Sequence, residues 1–251
     1  MEKINFGNLT IHYNDPHDVA AIVENLVLDV YDRKEIHSGD IVIDLGAGIG
    51  EFSLTASKIV GPNGKVIAIE PSPEDFQALL LNLTENNCQN VIPLNMAVSN
   101  RSEALKLKFK GKTFECKANS LGNILSNLNI NVDAIKFMKM DIEGAERDVI
   151  PSNLDLIKGM HFLAMEIHNG YSHELIPIMA SIGFTFRRLK RFQYLVRTVK
   201  TALFNPLETY SLYKAFRNTG ELSRMNKLLR GIEISNSDDL VVGVFHRIPR
   251  G

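Results

Sequence analysis

The ten residues Ile41-Val42-Ile43-Asp44-Leu45-Gly46-Ala47-Gly48-Ile49-Gly50 constrain this chain more than any other segment. Ile41, Val42 and Ile43 are β-branched and apolar on both faces, as a buried parallel strand requires. Asp44 ends the strand, and glycines at 46, 48 and 50 let the backbone turn sharply and approach a ligand where a Cβ would clash. Phe52, Ala56 and Ile59 follow at helical spacing. A strand, a glycine turn and a helix in this order form a cradle for a nucleotide-like cofactor. A dinucleotide site wants G-x-G-x-x-G, with the pyrophosphate on the helix N-terminus. That register needs glycine at 51, and the residue is Glu51, which suits the positive end of a helix dipole but not a pyrophosphate.

The same strand-and-helix alternation continues. Asp15-Pro16 opens a helix whose apolar residues run from Val19 to Val30, and Val66-Ile67-Ala68-Ile69-Glu70 is a second buried strand. Pro71 to Pro73 opens a helix through Leu83, and Val91 to Val98 reads as a third strand, confined to a sheet edge by Pro93. Residues 104–117 read as an antiparallel excursion, and Leu121, Ile124 and Leu125 as a short helix. Ile135–Met140, His161–Ile167, Thr185–Leu189 and Leu240–Phe245 are strands four to seven, with a helix over Leu175–Ile182. The expected fold is α/β: a Rossmann-like, seven-stranded, mostly parallel sheet with helices on both faces and right-handed crossovers. Ligands bind such sheets beyond the carboxyl ends of the strands, where Asp44, Glu70, Asp141, Glu166 and His168 all fall.

Bulk properties set the frame. At 251 residues and 45% hydrophobic content, a single domain over 1–251 is expected, with 1–38 as a strand and helix cover. No apolar stretch approaches the ~20 residues of a membrane span, and residues 1–20 do not read as a signal peptide, so a cytoplasmic protein is expected. Cys88 and Cys116 are too few for a disulfide framework or zinc site. The net charge of −1 hides an asymmetry: Arg187 to Arg230 holds eleven Lys or Arg against Glu208 and Glu221. All of this segment but Arg187 and Arg188 falls in a helical insertion, 190–237, between the last two strands. Leu189, Phe192, Leu195, Val196, Val199 and Leu203 recur at helical spacing there, Pro206 breaks the helix, and Gly220 and Gly231 punctuate shorter ones. We read it as a lid, whose charge favours an anionic acceptor such as a nucleotide-sugar, a phosphoglycolipid or RNA. Contact with an anionic membrane surface is a further reading, and a basic surface that merely covers the acidic remainder is the plainer one.

Glu70 ends its strand ~20 residues after the glycine turn, where a carboxylate can accept both ribose hydroxyls of an adenosyl group. The acid-x-Gly-x-Gly-x-Gly spacing resembles the first motif of class I S-adenosylmethionine-dependent methyltransferases. Combined with Glu70-Pro71, Asn95 to Ser99, Lys139-Met140-Asp141-Ile142-Glu143-Gly144-Ala145-Glu146 and Glu166-Ile167-His168, it resembles the FkbM family over roughly residues 40–190. The resemblance implies a seven-stranded class I fold and methyl transfer, usually to oxygen, on sugars or other small natural products. It places the cofactor against Asp44, Gly46, Ala47, Gly48, Gly50, Glu70, Pro71, Ala97 and Asp141. One departure is visible: the family usually has Leu-Asp after the excursion, and here Leu121 precedes Gly122.

Methyl transfer to a hydroxyl needs alignment and removal of a proton. Asp141, Glu143, Glu166 and His168 are the catalytic candidates, whereas Glu146 is explained by favourable charge at a helix start. His168 is a base oriented by an acid, or Asp141, Glu166 and His168 hold a divalent metal that acidifies the hydroxyl, or the pair is purely structural. The leading expectation is O-methylation of a sugar, glycolipid or other small polar acceptor. RNA ribose methylation and a non-catalytic nucleotide- or nucleic-acid-binding module are the alternatives.

Overall fold

The computed structural model describes residues 1–188, 190–219, 223, 226, 227 and 241–247. The chain begins with a hairpin, β1 (Glu2–Phe6) and β2 (Leu9–Tyr13), and then α1 (Pro16–Ile22). It continues through β3 (Ile41–Leu45), α2 (Glu51–Val60), β4 (Lys65–Ile69), α3 (Pro73–Glu85), β5 (Val91–Leu94) and β6 (Ala97–Ser99). The hairpin of β7 (Glu103–Phe109) and β8 (Lys112–Ser120) leads to α4 (Leu121–Asn127), β9 (Ile135–Met140), α5 (Glu146–Ser152) and α6 (Leu154–Ile157). Last come β10 (Phe162–Ile167), α7 (Ser172–Ser181), β11 (Phe184–Arg188), α8 (Arg191–Phe204), α9 (Pro206–Thr219) and β12 (Val241–Arg247).

Seven strands form one sheet in the order β11-β12-β10-β9-β3-β4-β5. The strands from β10 to β5 pair in parallel, and β12 runs antiparallel to both β10 and β11. The carboxyl end of β11 therefore lies on the same rim as those of the parallel strands. The doubly apolar strands are explained by two cores. Val42, Val66, Ala68 and Phe137 pack on one face with Phe52 and Leu79, while their neighbours Ile43, Ile67 and Met138 pack on the other with Leu121 and Val149. Each strand thus buries both alternating sets, as a sheet covered on both sides must.

Three local expectations are refined. The stretch read as one third strand divides: β5 is the sheet edge that tolerates Pro93, and β6 leaves to pair with β8 in a three-stranded side sheet. The helix expected through Val30 instead widens into a π-turn at Val23–Leu28 and stops at Asp29, whose φ of 47° is left-handed. The apolar stripe of α8 does not face the domain. Phe192, Leu195, Val196, Val199 and Leu203 are exposed, while Tyr194 is buried with Leu212, Ala215 and Phe216 of α9. The anchoring face of α8 is the polar one, where Arg197 donates to the carbonyls of Leu28 and Asp29 and to Asp32. Leu189, Gly220, Gly231 and Leu240 lie outside the described residues. Both cysteines are free thiols, and among the described residues no helix is long and apolar enough to cross a membrane.

Candidate active site

The glycine turn is held by the end of the neighbouring strand: Gly46 and Ala47 both donate their N–H to the carbonyl of Ile69, at 2.9 and 3.0 Å. Gly46 has φ +75°, and a Cβ there would lie 1.7 Å from the Asp141 carbonyl, so no other residue fits. Gly48 donates to Glu70 Oε2 at 2.8 Å, and Ser72 donates to Oε1 at 2.7 Å. Burial pushes the Glu70 carboxyl up to about 8 despite those two N–H groups. Glu51 folds beneath Gly48, with one oxygen near Asn25 and the other buried without a partner. Burial lifts it to about 8 as well.

A cavity of about 790 Å³ opens above the turn. Gly46, Gly48, Glu70, Pro71, Ala97 and Asp141 line it, whereas Asp44, Ala47 and Gly50 lie behind the wall. Asp44 is fully buried: Ser53 donates to Oδ2 at 2.6 Å, and Lys139 Nζ stands 3.3 Å from Oδ1. Lys139 also donates to the Gly46 carbonyl at 2.5 Å and lies 3.7 Å from Asp141 Oδ2. Burial opposes its charge, but Asp44, Asp141 and Glu51 together outweigh burial and hold it protonated. Asp44 thus positions the turn through Lys139. The far wall is the excursion, whose alternating Leu105, Leu107 and Phe109 face the cavity with Phe114. At its tip Lys110 reaches Asp18, Asp75 and Asp15 at 2.5, 3.2 and 3.3 Å, tying the arm to α1 and α3.

The polar end of the cavity is built by the adjacent strands β9 and β10. Asp141 follows β9, Glu166 lies near the end of β10, and His168 comes just after it. His168 Nε2 stands 3.8 Å from Asp141 Oδ1, 3.6 Å from Glu143 Oε2 and 3.6 Å from Glu166 Oε1. Glu143 reaches over because it has φ +56° and Gly144 φ +100°, a left-handed pair that turns the chain back. Glu146 begins α5 as expected, but it is also fully buried, accepting from Ile142 N at 3.0 Å and from His168 Nδ1 at 3.2 Å. It therefore fixes the imidazole with Nε2 toward the three carboxylates. Burial alone would push His168 down; the hydrogen bond to Glu146 and the charges of Glu166 and Asp141 together outweigh it and lift the imidazole to about 9.

Tyr31 is the residue that sequence reasoning missed. Its hydroxyl donates to Asp141 Oδ2 at 2.9 Å and Glu166 Oε2 at 3.2 Å, bridging residues 110 and 135 positions away in sequence. Burial first, and then the two carboxylates, raise its pKa far above the usual phenol range, so it remains a donor. Burial, with Asp141 and Glu24, likewise raises Glu166 well above the ordinary carboxyl range.

None of the described residues of the insertion lines the cavity. Arg187 at the end of β11 and Arg197 of the insertion both pair with buried Asp32, so part of the basic segment's charge is neutralised inside the domain. Helices α8 and α9 pack instead on the π-turn, β1 and α1 of the N-terminal cover.

The sequence profile of the methyltransferase FkbM domain matches residues 44–186. The chain is 31% identical over 169 residues to the ubiquinone/menaquinone biosynthesis C-methyltransferase UbiE of Blochmanniella pennsylvanica, covering 67% of this chain and 61% of that protein. It is 27% identical over 169 residues to UbiE of Blochmanniella floridana, with the same coverage. The chain therefore spans about 61% of the length of these relatives. Among solved structures it is similar to a SAM dependent methyltransferase from Aquifex aeolicus, with a TM-score of 0.45 and 16% identity over 70% of this chain and 92% of that one.

Proposed function

This chain belongs to the FkbM methyltransferase family; from that premise we propose that it is an S-adenosylmethionine-dependent methyltransferase that methylates a hydroxyl oxygen of a small polar or glycosylated acceptor. The residues present fit the cofactor: the glycine cradle would be filled by any Cβ at Gly46, and Glu70 can accept ribose hydroxyls while keeping its two N–H donors. The buried, unpartnered oxygen of Glu51 beneath Gly48 is placed to accept from a cationic group of the ligand. When bound, S-adenosylmethionine supplies a methyl group activated by positive sulfur, and the electron pair of the broken carbon–sulfur bond stays on sulfur.

The observation that carries the oxygen assignment is the group of Asp141, Glu143, Glu166 and His168 in the same cavity as the glycine turn. An attacking hydroxyl must lose its proton as the carbon–oxygen bond forms, and these side chains provide the acceptor for it. Glu146 and Tyr31 position them, through Nδ1 of His168 and through the outer oxygens of Asp141 and Glu166.

The test is titration calorimetry with S-adenosylhomocysteine, followed by transfer of labelled methyl to nucleotide-sugars, glycolipids, polyols and RNA, with the product located by NMR. An O-methyl on a small or glycosylated acceptor is the expected product. A 2′-O-methyl confined to RNA would move the assignment to ribose methylation, and a methyl on carbon would overturn the oxygen assignment. No affinity for the cofactor or its demethylated form would leave the binding-module reading.

A further inference from the structure

We propose that Asp141, Glu143 and His168 form a binding site for one divalent cation, of the Mn²⁺ type, at the acceptor end of the cavity. The inference rests on the hydroxyl-methylating reading for its chemical role, but not for the binding itself. One oxygen of each carboxylate and a ring nitrogen of His168 lie within 4.8 Å of one another. The separations from Nε2 to Asp141 Oδ1 and Glu143 Oε2, 3.8 and 3.6 Å, are too long for hydrogen bonds. Two atoms ligating one ion at about 2.0–2.2 Å stand roughly 3.0–3.5 Å apart when adjacent, so the two separations to Nε2 close with a contraction of a few tenths of an ångström, and the two carboxylate oxygens, within 4.8 Å of each other, with one of about an ångström. The sequence pattern pointed to Asp141, Glu166 and His168; the left-handed turn at Glu143 and Gly144 brings Glu143 into the trio, while Glu166 Oε1 stays 3.6 Å from Nε2.

The surroundings supply the second, independent argument. A metal-ligating histidine characteristically donates its other ring nitrogen to a carboxylate, which sets the tautomer and aims the free nitrogen at the ion. Glu146 does this for His168 from a fully buried position at 3.2 Å. The ligating carboxylates are in turn expected to have their outer oxygens hydrogen-bonded. Tyr31 donates to Asp141 Oδ2 and to Glu166 Oε2, leaving Asp141 Oδ1 and Glu166 Oε1 on the side of Nε2. Four carboxylates meet here, and the only Lys or Arg among the described residues that is shown paired with any ligand of the trio is Lys139, which Asp44 shares. Two carboxylates and one imidazole suit Mn²⁺ better than the all-oxygen preference of Mg²⁺ or the thiolate preference of structural Zn²⁺.

A cation at this point lowers the pKa of a hydroxyl it touches. With such an ion held by Asp141, Glu143 and His168, the acceptor's proton would leave to solvent, its oxygen would gain the methyl, and the sulfonium would become a neutral thioether.

The experiment is Mn²⁺ binding to the chelator-treated full chain, measured by electron paramagnetic resonance and calorimetry without cofactor or acceptor. One ion per chain is expected, and Glu143→Gln and His168→Gln are each expected to weaken it by at least tenfold, within the range seen when metal shells are altered. Glu143 is exposed, so its replacement leaves the core intact and reports on the site alone. S-adenosylhomocysteine affinity should stay within twofold in Glu143→Gln. Absence of saturable Mn²⁺ binding, or unchanged binding in both variants, overturns the site. Methyl transfer at full rate in excess chelator overturns its role while leaving the methyltransferase reading intact. Mn²⁺ binding without any O-methyl product overturns that reading and leaves the site.

Discussion

Glu70→Gln tests the cofactor side of the site most directly. Glu70 is 5% exposed, and its two oxygens already accept from Gly48 N and Ser72 N. Glutamine keeps one acceptor oxygen and places an NH₂ group against the other N–H, so one buried donor loses its partner. The cost of such a group is about 1–3 kcal/mol, and a ribose hydroxyl that accepted no substitute partner would lose a charge-assisted bond of similar size. The unpaired N–H is common to the free and bound protein and lowers Tm rather than affinity; the lost charge-assisted bond, about 1.5–3 kcal/mol, should lower S-adenosylhomocysteine affinity roughly ten- to hundredfold at pH 9, where 1.4 kcal/mol is a factor of ten. The pH dependence gives a second, sharper readout. Because burial holds Glu70 near 8 in the free protein, the carboxylate needed by two hydroxyl donors is the minor form at pH 7. Affinity in the unaltered protein should therefore rise about tenfold between pH 7 and 9, and the slope should flatten in Glu70→Gln. Titration calorimetry measures both, and melting curves confirm that the variant folds. A Kd within twofold of the parent at both pH values would refute the assignment of Glu70 to the ribose.

Tyr31→Phe removes the donor shared by Asp141 and Glu166 and is expected to lower kcat roughly tenfold or more while cofactor affinity stays within twofold, checked by steady-state kinetics and calorimetry. Arg197→Ala deletes bonds of 2.9, 2.6 and 2.7 Å to Leu28, Asp29 and Asp32, and a loss of about 2 kcal/mol should lower Tm by about 5 °C in differential scanning calorimetry. Glu51→Gln should stabilise the free protein. The unfolded chain ionises Glu51 near 4.5 while the folded one keeps its proton to about 8, so stability falls as pH rises between these values. Glutamine escapes that loss, and Tm should rise at pH 8 but hardly change at pH 4; an equal shift at both would show that ionisation is not the cause.

The sheet was legible in the sequence because its strands bury both faces. Ile41 to Ile43 and Val66 to Ile69 are continuous apolar runs, and Ile135 to Met140 is apolar except at Lys136 and Lys139; adjacent apolar residues such as Val42 and Ile43, or Phe137 and Met138, enter opposite cores. The rim was legible at Glu70 and Asp141, which directly follow β4 and β9, whereas Asp44 lies inside β3 and is fully buried. What was not legible depends on contacts that periodicity does not encode. The stripe from Phe192 to Leu203 reads as a buried helix face, yet α8 is anchored by Arg197 and Tyr194 on its other side. Alternation in residues 104–117 identified the hairpin but not that Leu105 and Leu107 wall the cavity, because a two-residue period says which residues share a face and not what that face meets.

Glu146 and Tyr31 show how local and long-range demands combine in this site. A glutamate at the start of α5 is favourable on helix electrostatics alone, and a reading from sequence has no reason to look further. Here the same carboxylate is fully buried, with one oxygen occupied by Ile142 N and His168 and the other without a partner, an arrangement far costlier than a solvated helix start requires. That cost is understandable if the imidazole must be aimed. Tyr31 makes the corresponding contribution from the cover: it lies beyond the π-turn that displaces the chain from a regular helix, and its ring stands 5.3 Å from Lys139 Nζ and 5.8 Å from the Phe52 ring centroid. The strands β9 and β10 can bring Asp141, Glu166 and His168 together by themselves, because adjacent parallel strands end at one rim. They cannot supply a neutral donor between two carboxylates. The N-terminal cover does so, which makes residues before the glycine turn part of the chemistry and predicts that changes in the π-turn register will reach kcat before they reach cofactor affinity.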